Sequence, residues 1–192
     1  MNRHAASRRA AAALTAATAV LTLGACEPAG RAVGDTQESD PDVAHVGAVT
    51  SEILVGLVGM QGADADRMAL DAYDAADLDA VYVSTDGVDD PGDAARRGIA
   101  DLVERRATII VISGLDATAD AASWDDALGK ARAAGIPVAL LNPVAPPDDD
   151  TLYAANLVVN DRAMDATPLA DATRTIIDDE PHERDIMVTT LG

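Results

Sequence analysis

Between Gly98 and Asn142 the chain alternates between two kinds of apolar pattern. Ile99, Leu102, Val103 and Arg106 fall on one helical face, and Thr108 to Ile112 follows as an unbroken β-branched run. Such a run is too short for a helix and suits a strand buried on both faces. Ser123 is placed to cap a second helix whose apolar stripe is Ala127, Leu128, Ala131 and Ala134, and Gly135 stands where a C′ glycine belongs. Ile136 to Leu141 is another fully apolar strand, entered through Pro137, a residue tolerated at a strand's start. Two strands joined through a helix run parallel with a right-handed crossover. The stretch predicts a βαβ unit.

The flanks repeat the pattern. Ile53 to Met60 predicts the first buried strand, Asp64 to Ala76 a short helix with Met68, Ala69, Ala72 and Tyr73 inward, and Ala80 to Ser84 a second strand. Asp90 is placed to cap a helix opening on Pro91, the favoured first helical position for proline. After Asn142 the sequence PVAPPDDD predicts a loop, and Tyr153 to Val159 the next strand. Pro168 opens a helix with Thr167 as its cap and Ile176 and Ile177 buried; Asp185 to Leu191 is the last strand. Strand and helix in strict alternation predict an α/β fold with a doubly wound parallel sheet.

The central residues also carry a resemblance. ATIIVISGLDA, a helix and then AAGIPVALLN resemble the N-terminal lobe of the type I periplasmic binding proteins, the sugar receptors of ABC importers. The marks are Leu115-Asp116-Ala117 after one strand and Ala134-Gly-Ile-Pro-Val138 before the next, with a looser match from Ile53 to Gly192. The resemblance implies a flavodoxin-like lobe spanning 51–192. In that family the strand matched by Asp185 to Leu191 begins a second lobe, and two lobes need roughly 300 residues at ordinary domain sizes. The chain is therefore expected to be truncated after its first lobe and one further strand.

The N-terminus has a different character. Arg3, Arg8 and Arg9 precede an apolar stretch, Ala10 to Leu23, too short to span a membrane, and Leu23-Gly24-Ala25-Cys26 resembles a bacterial lipobox. Residues 1–25 are expected to be a lipoprotein signal peptide, with Cys26 lipidated and the protein held on the extracytoplasmic side of the cell membrane. Two or more acyl chains anchor stably where one does not. Residues 26–50, rich in Gly, Pro, Asp, Ser and Ala and without apolar period, are expected to be a flexible tether.

Composition narrows the partners. The formal charge is −19, and the first 26 residues hold three arginines and no acid, which leaves −22 on the rest. That argues against nucleic acid and anionic lipid headgroups as partners. A single cysteine excludes an internal disulfide and a cysteine metal cluster. Gly56, Gly59 and Gly62 are not spaced as a dinucleotide or phosphate loop, and no cofactor is expected. Asp148, Asp149 and Asp150 lack the spacing of a calcium loop.

Candidate chemistry lies beyond the strands' C-terminal ends, where parallel sheets bind ligands. Gln61, Asp116, Asn142, Asn160 and Asp161 are the expected ligand-binding residues. Asn142 aligns with a sugar-contacting position of the resembled family, which often has Asp-Arg there, whereas this chain has Asn142-Pro143. Asp116 suits either a ligand hydroxyl or the cap of the following turn. Ser113 has no histidine partner, since His4, His45 and His182 fall in the signal, the tether and a late acidic loop, and no hydrolase motif is present. No enzymatic activity is expected. The resemblance implies a lipid-anchored receptor for a small molecule, a sugar by class, with an ABC permease as partner. The alternative is a surface-anchored sensory or interaction module of the same fold.

Overall fold

The computed structural model describes residues 28–40, 47, 48, 50–60 and 65–191. Seven strands form one sheet: β1 (Leu54–Gly59), β2 (Asp79–Ser84), β3 (Ile109–Ser113), β4 (Val138–Leu141), β5 (Ala155–Val159), β6 (Thr167–Pro168) and β7 (Asp185–Thr189). Four helices connect them: α1 (Asp66–Ala75), α2 (Pro91–Glu104), α3 (Ala121–Ala133) and α4 (Leu169–Ile177). The spatial order is β2-β1-β3-β4-β5-β7-β6, and every pairing is parallel. The architecture is the doubly wound α/β sheet that the alternation predicts.

Strict inward alternation explains the two layers. Ile109 and Val111 of β3, and Ala139 and Leu141 of β4, join the core that includes Ala69 and Tyr73 of α1 and Ile176 of α4. Ile110, Ile112, Val138 and Leu140 point the other way, into the core with Leu102 of α2 and Trp124 and Leu128 of α3. A strand apolar at every position is what burial on both faces requires.

Several local expectations change. Met68 is exposed, because the inward stripe of α1 runs Asp66, Ala69, Tyr73, and Met68 sits a hundred degrees round from Ala69. Helix α3 begins at Ala121, two residues before Ser123, because a 3-10 turn over Thr118–Asp120 leads straight into it. Thr167 is no cap: it pairs with Val188 in the short strand β6, and Pro168 takes the N-cap position without a side-chain bond. Asp90 does cap α2, accepting from the Asp93 backbone at 2.8 Å, and Gly135 ends α3 at φ 72°.

The last strand does not begin a second body. β7 lies beside β5, with Leu157 opposite Ile186 and Val159 opposite Val188. Val188, fully buried, completes the core under α4, and Ile186 packs half-buried against the same core. The opposite face of β5 and β7 is bare. The β4–β5 connection holds only a 3-10 turn, Asp150–Leu152, and among the described residues no helix reaches that far, so Val158 and its register partner Met187 are both exposed.

Residues 28–40, assigned by composition to a tether, lie against the domain. Ala32 is buried in the core beside Ile176, and the segment crosses the N-terminal ends of the strands. A run poor in apolar residues docks here through backbone groups, polar side chains such as Thr36 and Asp35, and one small buried side chain, which a hydropathy pattern does not register. Cys26 and the signal segment lie outside the described residues, as do 41–46.

Candidate functional site

The C-terminal ends of β1, β3, β4 and β5 form a continuous rim, and the chain reverses its direction of progress across the sheet between β1 and β3. Such a reversal opens a crevice between the two outgoing loops. Here the Met60 amide donates to the Ser113 carbonyl at 3.2 Å across that point. Ser113 itself is 1% exposed, which removes it as a nucleophile open to a substrate.

Asp116, Asn142, Asn160 and Asp161 all stand on this rim, just after β3, β4 and β5, while Gln61 lies outside the described residues. Asp116 pairs with Ala145 in an isolated bridge, tying the β3 and β4 exits together. Its Oδ1 accepts from the Thr118 amide at 2.9 Å and the Thr118 hydroxyl at 2.5 Å. Those donors, the hydroxyl first, hold its carboxyl below the usual range, so it is an anionic acceptor at neutral pH. Its second oxygen accepts no hydrogen bond among the described residues.

Asn142 adopts φ 46°, a left-handed conformation that asparagine tolerates better than most residues. Its Oδ1 accepts from the Val159 amide at 2.8 Å and so holds the end of β5 to the end of β4. Among the described residues nothing accepts from its Nδ2, which leaves a donor on the exposed rim. The residue is thus part of the scaffold through one atom and open to a ligand through the other.

The pair after β5 is more heavily engaged. Asn160 Oδ1 accepts from the Arg162 amide at 3.2 Å, and its Nδ2 lies 3.7 Å from Met187 Sδ. Asp161 uses both oxygens: Oδ1 accepts from Thr189 Oγ1 at 2.9 Å and the Thr190 amide at 2.7 Å, and Oδ2 from Thr190 Oγ1 at 2.9 Å. The Thr190 backbone bond is the largest cause of its lowered pKa, opposed by partial burial and aided by both hydroxyls. Asp161 is therefore a clasp between the β5 and β7 exits, a role that spacing alone does not reveal because Thr189 and Thr190 lie 28 and 29 residues away.

Asp66 and Tyr82 form a polar pair near the β1 exit that pattern reading missed. Asp66, 7% exposed in the first turn of α1, accepts from the Tyr82 hydroxyl at 2.7 Å. A Cβ at Gly59 would lie 2.2 Å from the Asp66 carboxylate and 2.3 Å from the phenol oxygen, so only glycine makes room for the pair. Burial first, and the Asp66 carboxylate second, push the Tyr82 phenol up to about 12. The signal was present as an aspartate on the inward stripe of a helix, where an unpaired charge is not tolerated.

The rim as a whole offers hydrogen-bond donors and acceptors and few rings. Among the described residues no group of three or more His, Cys, Asp or Glu side chains is placed to hold a metal ion.

No family model matches the sequence, and no curated protein matches it. Solved structures of similar shape do exist. One is a protein from Mycobacterium smegmatis, 15% identical, with a TM-score of 0.46 over 71% of this chain and 53% of that one. Another is a galactofuranose binding protein, 17% identical, TM-score 0.48, over 57% of this chain and 36% of that one. A third is the periplasmic binding protein of the arabinose ABC transporter from Shewanella sp. ANA-3, 14% identical, TM-score 0.45, over 55% and 34%. The chain thus spans between a third and about half the length of these proteins, and at such identities the likeness is one of fold.

Proposed function

We propose that this chain is one lobe of an extracytoplasmic solute-binding receptor, anchored through lipid on Cys26, that takes up a sugar for an ABC permease. The supporting observation is the chemistry of the rim: an acceptor oxygen on Asp116 and a donor nitrogen on Asn142 that are unengaged among the described residues, each side chain held by its other polar atom. Hydroxyl groups of a sugar donate and accept at once, and pre-held partners of both kinds replace their water at small entropic cost. The resemblance carried by Leu115-Asp116-Ala117 and by Ala134 to Val138 points the same way. Asn160 is the third ligand-facing candidate. Gln61 remains a candidate from the sequence alone, and Asp161 acts on the ligand only through the scaffold it closes.

A rim of this kind covers one side of a ligand. Binding by this chain alone is weak, and closure of a second lobe supplies the remaining contacts. Deleting the gene and measuring uptake of labelled monosaccharides tests the function. Loss of uptake for one sugar supports it, and unchanged uptake across the panel overturns it. Calorimetry on the purified chain tests the single-lobe statement, which an affinity tighter than about 1 mM would contradict.

A second reading is favoured by the bare β5–β7 face, where Val158 and Met187 are each close to half exposed. Parallel sheets are ordinarily covered on both faces, and a sensory or interaction module would use such a face for its partner. Intact uptake together with altered output from a histidine kinase would select it.

A further inference from the structure

We infer that residues 28–40 form a strap that plants the domain on the membrane with its ligand rim facing outward. The inference rests on lipidation of Cys26, as proposed above, and adds to it a direction and a distance.

The strap is held at both ends and in the middle. Near its start, Arg132 from the C-terminal turn of α3 donates to the carbonyls of Pro28 and, at 2.9 Å, Arg31. In the middle, Ala32 is 1% exposed in the core, and Gly34, at φ 83°, sits so close that a Cβ there would lie 2.7 Å from the Ile176 carbonyl and 3.0 Å from Pro137. His182, in the late acidic loop, brings Nε2 to 2.8 Å from the Gly34 carbonyl. Asp35 lies 3.7 Å from the Arg184 guanidinium. Toward the far end Asp179 accepts from the Thr36 amide at 2.8 Å and from the Thr36 hydroxyl, and beyond the strap Asp178 accepts from the Ala48 amide at 2.9 Å.

Every one of these partners lies at one end of the molecule. Arg132 closes α3, Ile176 to Asp179 close α4, Pro137 precedes β4, and His182 and Arg184 precede β7. This is the N-terminal end of the parallel strands, opposite the rim of Asp116, Asn142 and Asn160. A cavity of about 640 Å³ runs beneath the strap, lined by Pro28, Gly34, Thr108, Pro137 and Ile176 among others.

The consequence is geometric. Only Glu27 lies between Cys26 and Pro28, so an acylated Cys26 lies within about 7 Å of the docked chain even when fully extended. A free coil over 27–50 would instead have an end-to-end distance of about 27 Å and would let the domain tumble. With the strap docked, the strand N-termini face the lipid and the strand C-termini face away from it, open to solute and to a partner lobe.

The full chain, processed in a bacterial host and reconstituted into phosphatidylcholine–phosphatidylglycerol vesicles, allows a direct test. Single fluorophores at Glu104→Cys, at the base, and at Asp89→Cys, at the rim, are read against a headgroup-attached quencher. We expect quenching at 104 and its loss at 89. In Gly34→Val, and more mildly in Thr36→Val, the two positions are expected to become alike. Equal quenching at both positions in the unsubstituted strap would overturn the inference. Intact mass and hydrogen exchange separate the two levels. A protein lacking diacylglyceryl on Cys26 but with residues 28–40 protected overturns the anchor, and the stand with it, while leaving the docked strap. A lipidated protein whose residues 28–40 exchange freely overturns the strap alone.

Discussion

The Tyr82 hydroxyl donates to Asp66 Oδ2 at 2.7 Å, while Oδ1 of the same carboxylate is buried with no partner among the described residues. Among the described residues one phenol is therefore the side chain that compensates a carboxylate with 7% exposure, and glycine at position 59 is what lets the two meet. Tyr82→Phe strips that bond and is expected to cost about 1–3 kcal/mol, the usual loss when a buried acceptor is orphaned. Chemical denaturation measures it. A cycle with Asp66→Ala should show coupling of at least about 0.5 kcal/mol, and strict additivity would show that the pair does not support the β1–α1 junction.

Alkaline pH provides an independent check on the same corner and on Tyr73. Burial pushes the Tyr73 phenol up to about 12, with its Thr173 hydrogen bond opposing, and Tyr82 reaches about 12 as well. Both folded values lie above the unfolded value of 10.0, so their stabilisation is complete below pH 10 and is lost between about 10 and 12. Urea midpoints followed across that window should fall, and Tyr82→Phe should flatten part of the fall. A midpoint constant to pH 12 would contradict the burial argument.

Asp161 behaves with the opposite sign. Its folded pKa is lowered, so its contribution is fully present above the ordinary carboxylate value of 3.8 and is lost as pH falls through the lower folded value. Asp161→Ala should destabilise by about 1–2 kcal/mol at pH 7, given three charge-assisted bonds on a partly exposed group. As pH falls through the lowered folded value, the stabilities of the variant and the parent should converge. A deficit that persists in acid would mean that the clasp works by packing and not by charge.

Asn142 separates scaffold from ligand chemistry within one side chain. Asn142→Asp keeps the acceptor for the Val159 amide and should stay within about 0.5 kcal/mol of the parent. Asn142→Ala loses both that acceptor and asparagine's ease at φ 46°, and should cost about 1–2 kcal/mol. If the Nδ2 donor binds a sugar hydroxyl, the Asp variant alone should lose ligand binding at unchanged stability. Retained binding in that variant would remove Asn142 from the ligand contacts.

Neighbouring residues of β5 should respond in opposite ways. Leu157, fully buried beneath α4, is expected to cost about 2–5 kcal/mol when changed to alanine. Val158, one residue on and 44% exposed, should tolerate threonine within about 0.5 kcal/mol. A large loss from Val158→Thr would imply that the bare face is covered in solution.

Much of this molecule follows from local pattern. Unbroken runs such as Ile109 to Ile112 can be buried only on both faces, and their alternation with helices such as Pro91 to Glu104 leaves a parallel, doubly wound sheet as the outcome. Polar residues directly after those runs, Asp116, Asn142 and Asn160, reach the rim because chain direction and strand ends are both local properties. Other features depended on groups far apart in sequence. Asp161 meets Thr189 and Thr190 only because β7 chose to pair with β5, and the apolar run of β7 carries no mark of which strand it joins. Thr36 meets Asp179 across 143 residues through a backbone amide and a hydroxyl, in a segment whose composition resembles a linker. Hydrophobic periodicity encodes burial of side chains. It does not encode which distant carboxylate satisfies a backbone donor, and that choice belonged to the tertiary structure.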